Sequence, residues 1–590
     1  MGDAVINDMS IMISGDAGQG VESSGAGFAL ALARAGLHVF ATGDYRSRIR
    51  GGNNFYVMRL AERPLYAHSY PVHLMLALTS DSVTRHADKV AEGGAIIYPE
   101  KIQADEESLR RRGILAQSLP LMAIAEEHGN RLMVNTAALG AAAGLTEFPF
   151  EFMEQVIKEN FGRKGPQVAD SNLKVAQAAY DMARKRFGAD FRYRLKARPE
   201  APRRMLINGN EALALGALAG GCRFMSAYPM TPATSIIEWL AALPPDYGMV
   251  TKHTEDEIAA ICQAIGASYA GARAMTATSG GGFCLMVEAI GLAGMTEVPV
   301  VIVNAQRGGP STGLPTRTEQ SDLLFAINAA HGEFPRIVLA PRSVEECFEM
   351  GWRAFNLADR YQCPVIILTD QFLASSLRTL DPKLIDFRQV KIDRGAMLGA
   401  QELERLPNGY HRFEFTHTGI SPRAAPGHPK AVFVASSDEH DETGHITEEI
   451  DNRVRMMQKR MRKLEEAVKE MRPPSLHGDE DARLTLACWG STYGACREAA
   501  DKMNAAGGSV NVLSFPDLWP MPEEAVSEAL RLCHRIVAVE QNYTSQLARL
   551  LKMVTGISVD RTLNKYDGRP FAPEEIVAAL SQEVVSGHKA

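Results

Sequence analysis

Short apolar runs alternate with alanine-rich stretches of helical spacing along most of the chain. Ile11-Met12-Ile13 leads into Gly15-Asp16-Ala17-Gly18-Gln19-Gly20 and then into Ala-rich spacing through Ala35-Gly36. That pattern predicts strand, glycine turn and helix. Between Met205 and about Leu380, the strand-length runs 274–278, 298–304, 336–340 and 365–369 alternate with Ala-rich helical patterns. A doubly wound parallel sheet is expected there. The alternation stops between about 381 and 480. Within that region Ile446, Ile450, Val454, Met457, Met461, Leu464, Val468 and Met471 recur every three or four residues and are followed by Pro473-Pro474. Such spacing predicts a long amphipathic helix whose apolar stripe packs on a neighbouring domain or subunit, ended by the prolines. Strands return at 484–489, 510–515 and 536–540 as a smaller α/β unit. Pro199 and Pro202, set in the basic run 192–204, mark a linker. The expected organisation is a multidomain α/β protein divided at 1–198, 205–380, 381–480 and 481–590, without internal repeats.

Composition narrows the class. A chain of 590 residues with 46% hydrophobic content holds three or four separate cores. A net charge of -7 and the lack of a sustained basic run argue against a nucleic-acid partner. The apolar runs are too short to span a bilayer, and the N-terminus carries Asp3 and Asp8 in place of a basic leader, so a cytoplasmic location off the membrane is expected. The eight cysteines are scattered and none forms Cys-x-x-Cys. They read as reduced, core-packing thiols, and any iron–sulfur cluster belongs to another chain.

Three short segments carry candidate chemistry. Tyr228-Pro229-Met230-Thr231-Pro232 is a rigid turn in which the two prolines restrict the backbone of Thr231 and present its hydroxyl. Glu255, Asp256 and Glu257 open a helix in which Ala259, Ala260 and Gly266 follow Glu257, leaving room for a ring. Acids at this position are also favoured by the helix dipole alone. Ser279-Gly280-Gly281-Gly282 follows an apolar strand. Together these suit a buried heterocyclic cofactor and a small anionic substrate. After the strand ending at Asn304 come Arg307-Gly308-Gly309-Pro310 and the segment 315–322, where an arginine fork could pair with a carboxylate. The loop Gly15–Gly20 would place backbone N–H groups at a helix N-terminus. It lacks the Lys-Ser/Thr of a Walker loop and the glycine spacing of a dinucleotide site, and reads equally as a tight turn. His440, Asp441, Glu442 and His445 fix no metal geometry.

These residues resemble the thiamine-diphosphate-dependent 2-oxoacid:ferredoxin oxidoreductases. The Tyr-Pro-x-Thr-Pro turn, Glu257 and the glycine loop are similar to the family's pyrimidine-binding domain. Gly15–Gly20 with Arg50-Gly51-Gly52 resembles its gamma-type domain, here fused ahead of the alpha part. His440–His445, Val539–Tyr543 and Gln546–Leu550 resemble segments of the two-subunit members in the 2-oxoglutarate branch, and the C-terminal unit is similar to a transketolase C-terminal domain. The resemblance implies that Glu257 meets the aminopyrimidine N1', that Ser279, Gly280 and Gly281 border thiamine diphosphate, and that Thr231 and Tyr228 meet the 2-oxoacid. For the carboxylate-binding arginine it implies Arg317, with Arg307 in reserve. Arg48, Asn53 and Asn54 are implied for coenzyme A. No Gly-Asp-Gly with a downstream Asn is present. In the family that motif binds Mg2+ and the diphosphate on a beta subunit, which also carries the 4Fe-4S cluster. The chain is thus expected to supply half of an active site in a complex of two alpha and two beta chains that reduces ferredoxin. Two alternatives are the same chemistry on pyruvate or another 2-oxoacid, and a non-catalytic assembly subunit. Retention of Thr231, Glu257 and Arg317 speaks against the second.

Overall fold

The computed structural model describes residues 4–45, 52–187, 190–406 and 409–585. They form two compact units.

The first unit comprises 1–208 with 375–384 and 572–575. It is built on an eight-stranded mixed sheet in the order 115–119, 90–99, 72–77, 9–16, 53–61, 38–44, 377–380, 205–207. Strand Met9–Asp16 runs into the glycine turn and then helix Val21–Arg34, as the hydropathy predicts. The last two strands depart from the expected division at 198/205. Leu377–Leu380 pairs antiparallel with His38–Asp44, and Met205–Ile207 pairs on its outer side. Both segments had been assigned to the second domain. Three- and four-residue strands carry too little periodicity to reveal which sheet they join.

The second unit holds two sheets. One has seven strands in the order 250–253, 222–227, 273–278, 300–306, 364–370, 337–339, 517–519. Its first six strands are parallel. The seventh, Asp517–Trp519, comes from the C-terminal segment and is antiparallel. The order in which strands are added reverses between the parallel neighbours Cys222–Ala227 and Arg273–Thr278. Their carboxyl ends therefore flank a topological switch point, where open α/β sheets bind ligands. The other sheet has five strands, with 561–564 at one edge.

The long helix forms at Ile450–Ala467, but its buried face is not the apolar stripe. Ile446, Ile450 and Val454 are 62%, 79% and 50% exposed, whereas Lys459, Arg460 and Lys463 are buried. Lys459 and Lys463, one turn apart, both pair with the buried carboxylate of Glu297, Lys459 at 2.5 Å. Arg460 pairs with Glu439 at 2.7 Å. Burial lowers Lys459 to about 7, with the neighbouring Lys463 and Arg412 adding to the effect and Glu297 opposing it. A hydropathy pattern cannot see charges buried as pairs. His440, just ahead of the long helix, is buried with its ring 4.1 Å from that of Phe413. Among the described residues, no helix is long and apolar enough to cross a membrane.

Candidate active site at the sheet switch point

Four segments converge at the carboxyl ends of the parallel strands. The strand Cys222–Ala227 ends in the turn Tyr228–Pro232. Buried Asn210 holds this turn by donating from Nδ2 to the Pro232 carbonyl and to Ser235 Oγ, both at 2.8 Å. Tyr228 is 39% exposed and its ring lies beside that of His253.

Glu257 is the first residue of helix Glu257–Tyr269. Asp256 caps that helix, its carboxylate accepting the Ala259 N–H at 2.7 Å. The cap settles the roles of the three acids: Asp256 satisfies the helix end, Glu255 is exposed, and Glu257 turns inward with 3% exposure. Its Oε1 is buried with no hydrogen-bond partner. An orphaned buried carboxylate oxygen carries a substantial desolvation cost, and a donor from a bound molecule is what would satisfy it.

Strand Arg273–Thr278 ends at Ser279, the N-cap of helix Gly280–Met295. Glycine is required at 282, because a Cβ there would sit 2.6 Å from Glu257 Oε1. Ser279 Oγ is likewise buried without a partner. The Asp322 carboxylate lies against Gly280 and accepts from Asn304 Nδ2 at 3.1 Å. Burial raises the pKa of both Asp322 and Glu319.

Arg307 follows strand Val300–Gln306 directly and donates from Nη1 to the Thr231 carbonyl at 2.8 Å. Burial lowers its pKa, and the charge of Glu257 opposes that shift. Arg307 is therefore the arginine brought to Thr231 and Glu257. Arg317, preferred from sequence, has its Cβ and Cγ beside Gly568 of the C-terminal segment. The signal that separates the two is position. Arg307 immediately follows a central strand of the sheet, whereas Arg317 lies ten residues out in the loop. Asn210 went unnoticed in the sequence because it belongs to no motif, and Asp322 closes the segment 315–322 without a role having been given to it.

In the N-terminal unit, Gly18 and Gly20 adopt the left-handed φ values 89° and 70° that the turn needs. The adjoining cavity of about 460 Å³ includes Asp16, Glu22, Asp44 and Asn54 in its lining. Three carboxylates make it a poor phosphate cradle. Asn53, expected to touch coenzyme A, faces inward instead and bonds Ser14 Oγ, Ser82 Oγ and His86 Nε2 at 2.7–2.8 Å. Asn54 borders the cavity, and Arg48 lies outside the described residues.

Three family models cover the chain. Pyruvate flavodoxin/ferredoxin oxidoreductase, thiamine diphosphate-binding, matches residues 215–459, pyruvate ferredoxin/flavodoxin oxidoreductase matches 10–182, and the pyruvate:ferredoxin oxidoreductase core domain II matches 482–576. A 2-oxoacid:ferredoxin oxidoreductase subunit alpha from Sulfolobus sp is 34% identical, over 98% of this chain and 98% of its own length. The chain belongs to the alpha subunits of the 2-oxoacid:ferredoxin oxidoreductase family. It is accordingly part of a thiamine-diphosphate-dependent oxidoreductase of several subunits. A second family member, 2-oxoglutarate oxidoreductase subunit KorA of Mycobacterium tuberculosis, is 30% identical over 97% of this chain and 91% of its own. A solved structure of 2-oxoglutarate:ferredoxin oxidoreductase from Magnetococcus marinus, with 2-oxoglutarate, coenzyme A and succinyl-CoA bound, is 35% identical and superposes with a TM-score of 0.90. That match covers 98% of this chain and 100% of that one.

Proposed function

We propose that this family member acts on 2-oxoglutarate, converting it with coenzyme A and oxidised ferredoxin to succinyl-CoA, CO2 and reduced ferredoxin. The observation that carries the site assignment is the orphaned Oε1 of Glu257, facing a glycine where any side chain would collide. It fits a flat ring that donates a hydrogen bond, as protonated N1' of the aminopyrimidine does. When bound, thiamine diphosphate supplies the carbanion and acyl-carrier chemistry. The residues of this chain do the rest. Glu257 holds the shared proton, the glycine loop admits the ring, and Thr231 with Arg307 grips the 2-oxoacid carboxylate. Arg307 is already fixed through Thr231, so little freedom is lost on binding.

Ile258, Cys262, Gly266 and Tyr269, one to twelve residues beyond Glu257 on its helix, are all exposed. An apolar, small-residue face beside the proposed cofactor site suits a beta partner that brings the diphosphate, the Mg2+ ligands and the iron–sulfur cluster. The kinship with the KorA chain and with the 2-oxoglutarate-bound structure supports the choice of substrate. The test is a panel of 2-oxoacids offered to the complex with its partner chain, followed by ferredoxin reduction and by product mass. Highest kcat/KM for 2-oxoglutarate with succinyl-CoA formed is the expected result. Preference for pyruvate would overturn the substrate and leave the reaction class standing.

A further inference from the structure

The segment 540–546 is bonded closely to the loop that carries Arg307. That loop leaves the sheet at Gln306 and re-enters helix Leu323–Asn328. Near its end sits Gln320, fully buried and bonded on every side to the C-terminal segment. Its backbone N–H donates to the Gln541 carbonyl at 2.7 Å, and its carbonyl accepts from Asn542 Nδ2 at 3.1 Å. Its side-chain Nε2 donates to the Trp489 carbonyl at 3.0 Å, and its Oε1 accepts the Gln541 N–H at 3.4 Å. One residue on, the Ser321 carbonyl accepts from Gln546 Nε2 at 2.7 Å.

The receiving side is itself fixed. The buried Glu540 carboxylate accepts Asn542 Nδ2 at 2.9 Å and the N–H groups of Leu547 and Ala548 at 2.8 and 3.1 Å. Asn542 therefore has one Nδ2 shared between Glu540 and the loop, and its orientation is determined by both. At the loop's outer part, Gly568, with φ 76°, lies against Leu314 and Arg317, where a side chain would collide. Four hydrogen bonds on one residue exceed what loop closure needs. They tie the end of the loop that holds residues 308–319 to the C-terminal segment.

We infer that the C-terminal unit is a positioning device for substrate capture, with Gln320 and Asn542 as the positioning residues that fix the Arg307 loop. The inference rests on the proposed role of that loop in binding the 2-oxoacid. A clamp of this kind acts on the substrate-binding geometry and leaves the proton chemistry at Glu257 untouched. Its loss is expected to move KM more than kcat.

The test uses Gln320→Glu, isosteric but without the donor to Trp489, and Asn542→Ser, in the complex assembled with the partner chain. KM for 2-oxoglutarate should rise about tenfold, the equivalent of one or two lost hydrogen bonds, with kcat within about twofold. Backbone hydrogen exchange over 308–319 should quicken in both variants while exchange in helix Glu257–Tyr269 stays unchanged. Should Gln320→Glu fail to fold, Asn542→Ser with its exchange pattern decides. Unchanged KM in folded variants, or a fall in kcat at constant KM, overturns the inference. Failure of the wild-type complex to use any 2-oxoacid, with loop exchange responding as described, sinks the functional reading and spares the clamp.

Discussion

Arg307→Ala separates the structural assignment from the sequence-based one. In the folded protein one guanidinium nitrogen is engaged by the Thr231 carbonyl at 2.8 Å, leaving the remaining donors of the fork for a substrate carboxylate. A hydrogen bond to a charged group contributes about 1.5–3 kcal/mol. Losing a paired contact while releasing the Thr231 turn therefore costs about 3 kcal/mol, on the order of a hundredfold in kcat/KM. The assay is steady-state turnover of the assembled complex with the 2-oxoacid varied. Two controls accompany it: Arg307→Lys, which keeps charge and loses the fork, and Arg317→Ala. The lysine variant should recover only part of the loss, and Arg317→Ala should stay within about threefold of wild type if Arg307 is the arginine that meets the substrate. A hundredfold loss at Arg317 with Arg307→Ala near wild type would refute the assignment.

Glu257→Gln should fold and assemble normally yet slow C2 hydrogen–deuterium exchange of bound thiamine diphosphate by about a hundredfold, since an amide cannot share the proton; near-normal exchange counts against Glu257. Glu297→Ala leaves Lys459 and Lys463 buried without their counter-charge, and should cost about 3–5 kcal/mol in urea unfolding of the second unit, while replacing both lysines by methionine as well should recover much of it. For Glu439, burial raises the pKa but Arg460 and Arg453 outweigh it and hold the group at about 2, below its ordinary 4.5. Its stabilisation is therefore complete above 4.5 and is lost as pH falls from 4.5 to about 2, so Arg460→Met should flatten the acid side of a melting-temperature profile. Purified without its partner, the chain should be colourless, free of iron and weak in thiamine-diphosphate binding; stoichiometric iron would contradict the division of labour.

Much of the fold was legible because long, regular segments announce themselves. The expected run 536–540 is the observed strand, and 274–278 and 365–369 differ from their strands by a residue at the ends. The Glu257 helix and the glycine loop were readable for the same reason: a short run of unusual residues sits where a strand or helix begins. The rest was hidden for two physical reasons. Hydropathy reports burial of apolar side chains, so it pointed to Ile450 and Val454 on the long helix and missed Lys459 and Lys463. The bond from Arg307 to Thr231 and the inward set of Asn53 were not legible, because a loop's path decides which side chains meet, and no local pattern encodes that path.

The two strands at 205–207 and 377–380 bear on how such a chain can be divided. The 199–204 linker looks like a natural cut between a free-standing N-terminal domain and the remainder. A break there leaves strand His38–Asp44 without Leu377–Leu380, whose Thr379 Oγ1 accepts the Val39 N–H at 2.9 Å and whose Arg378 bonds the Leu65 carbonyl at 2.8 Å. The severed piece would carry a bare sheet edge, a template for pairing with other chains. On the ribosome the same sheet stays unfinished until residue 380 has emerged, well after Thr231 and Glu257 have been made. A split-gene or truncated version of this N-terminal unit would therefore have to carry a replacement strand of its own, or meet the 377–380 segment in trans, to remain a soluble monomer.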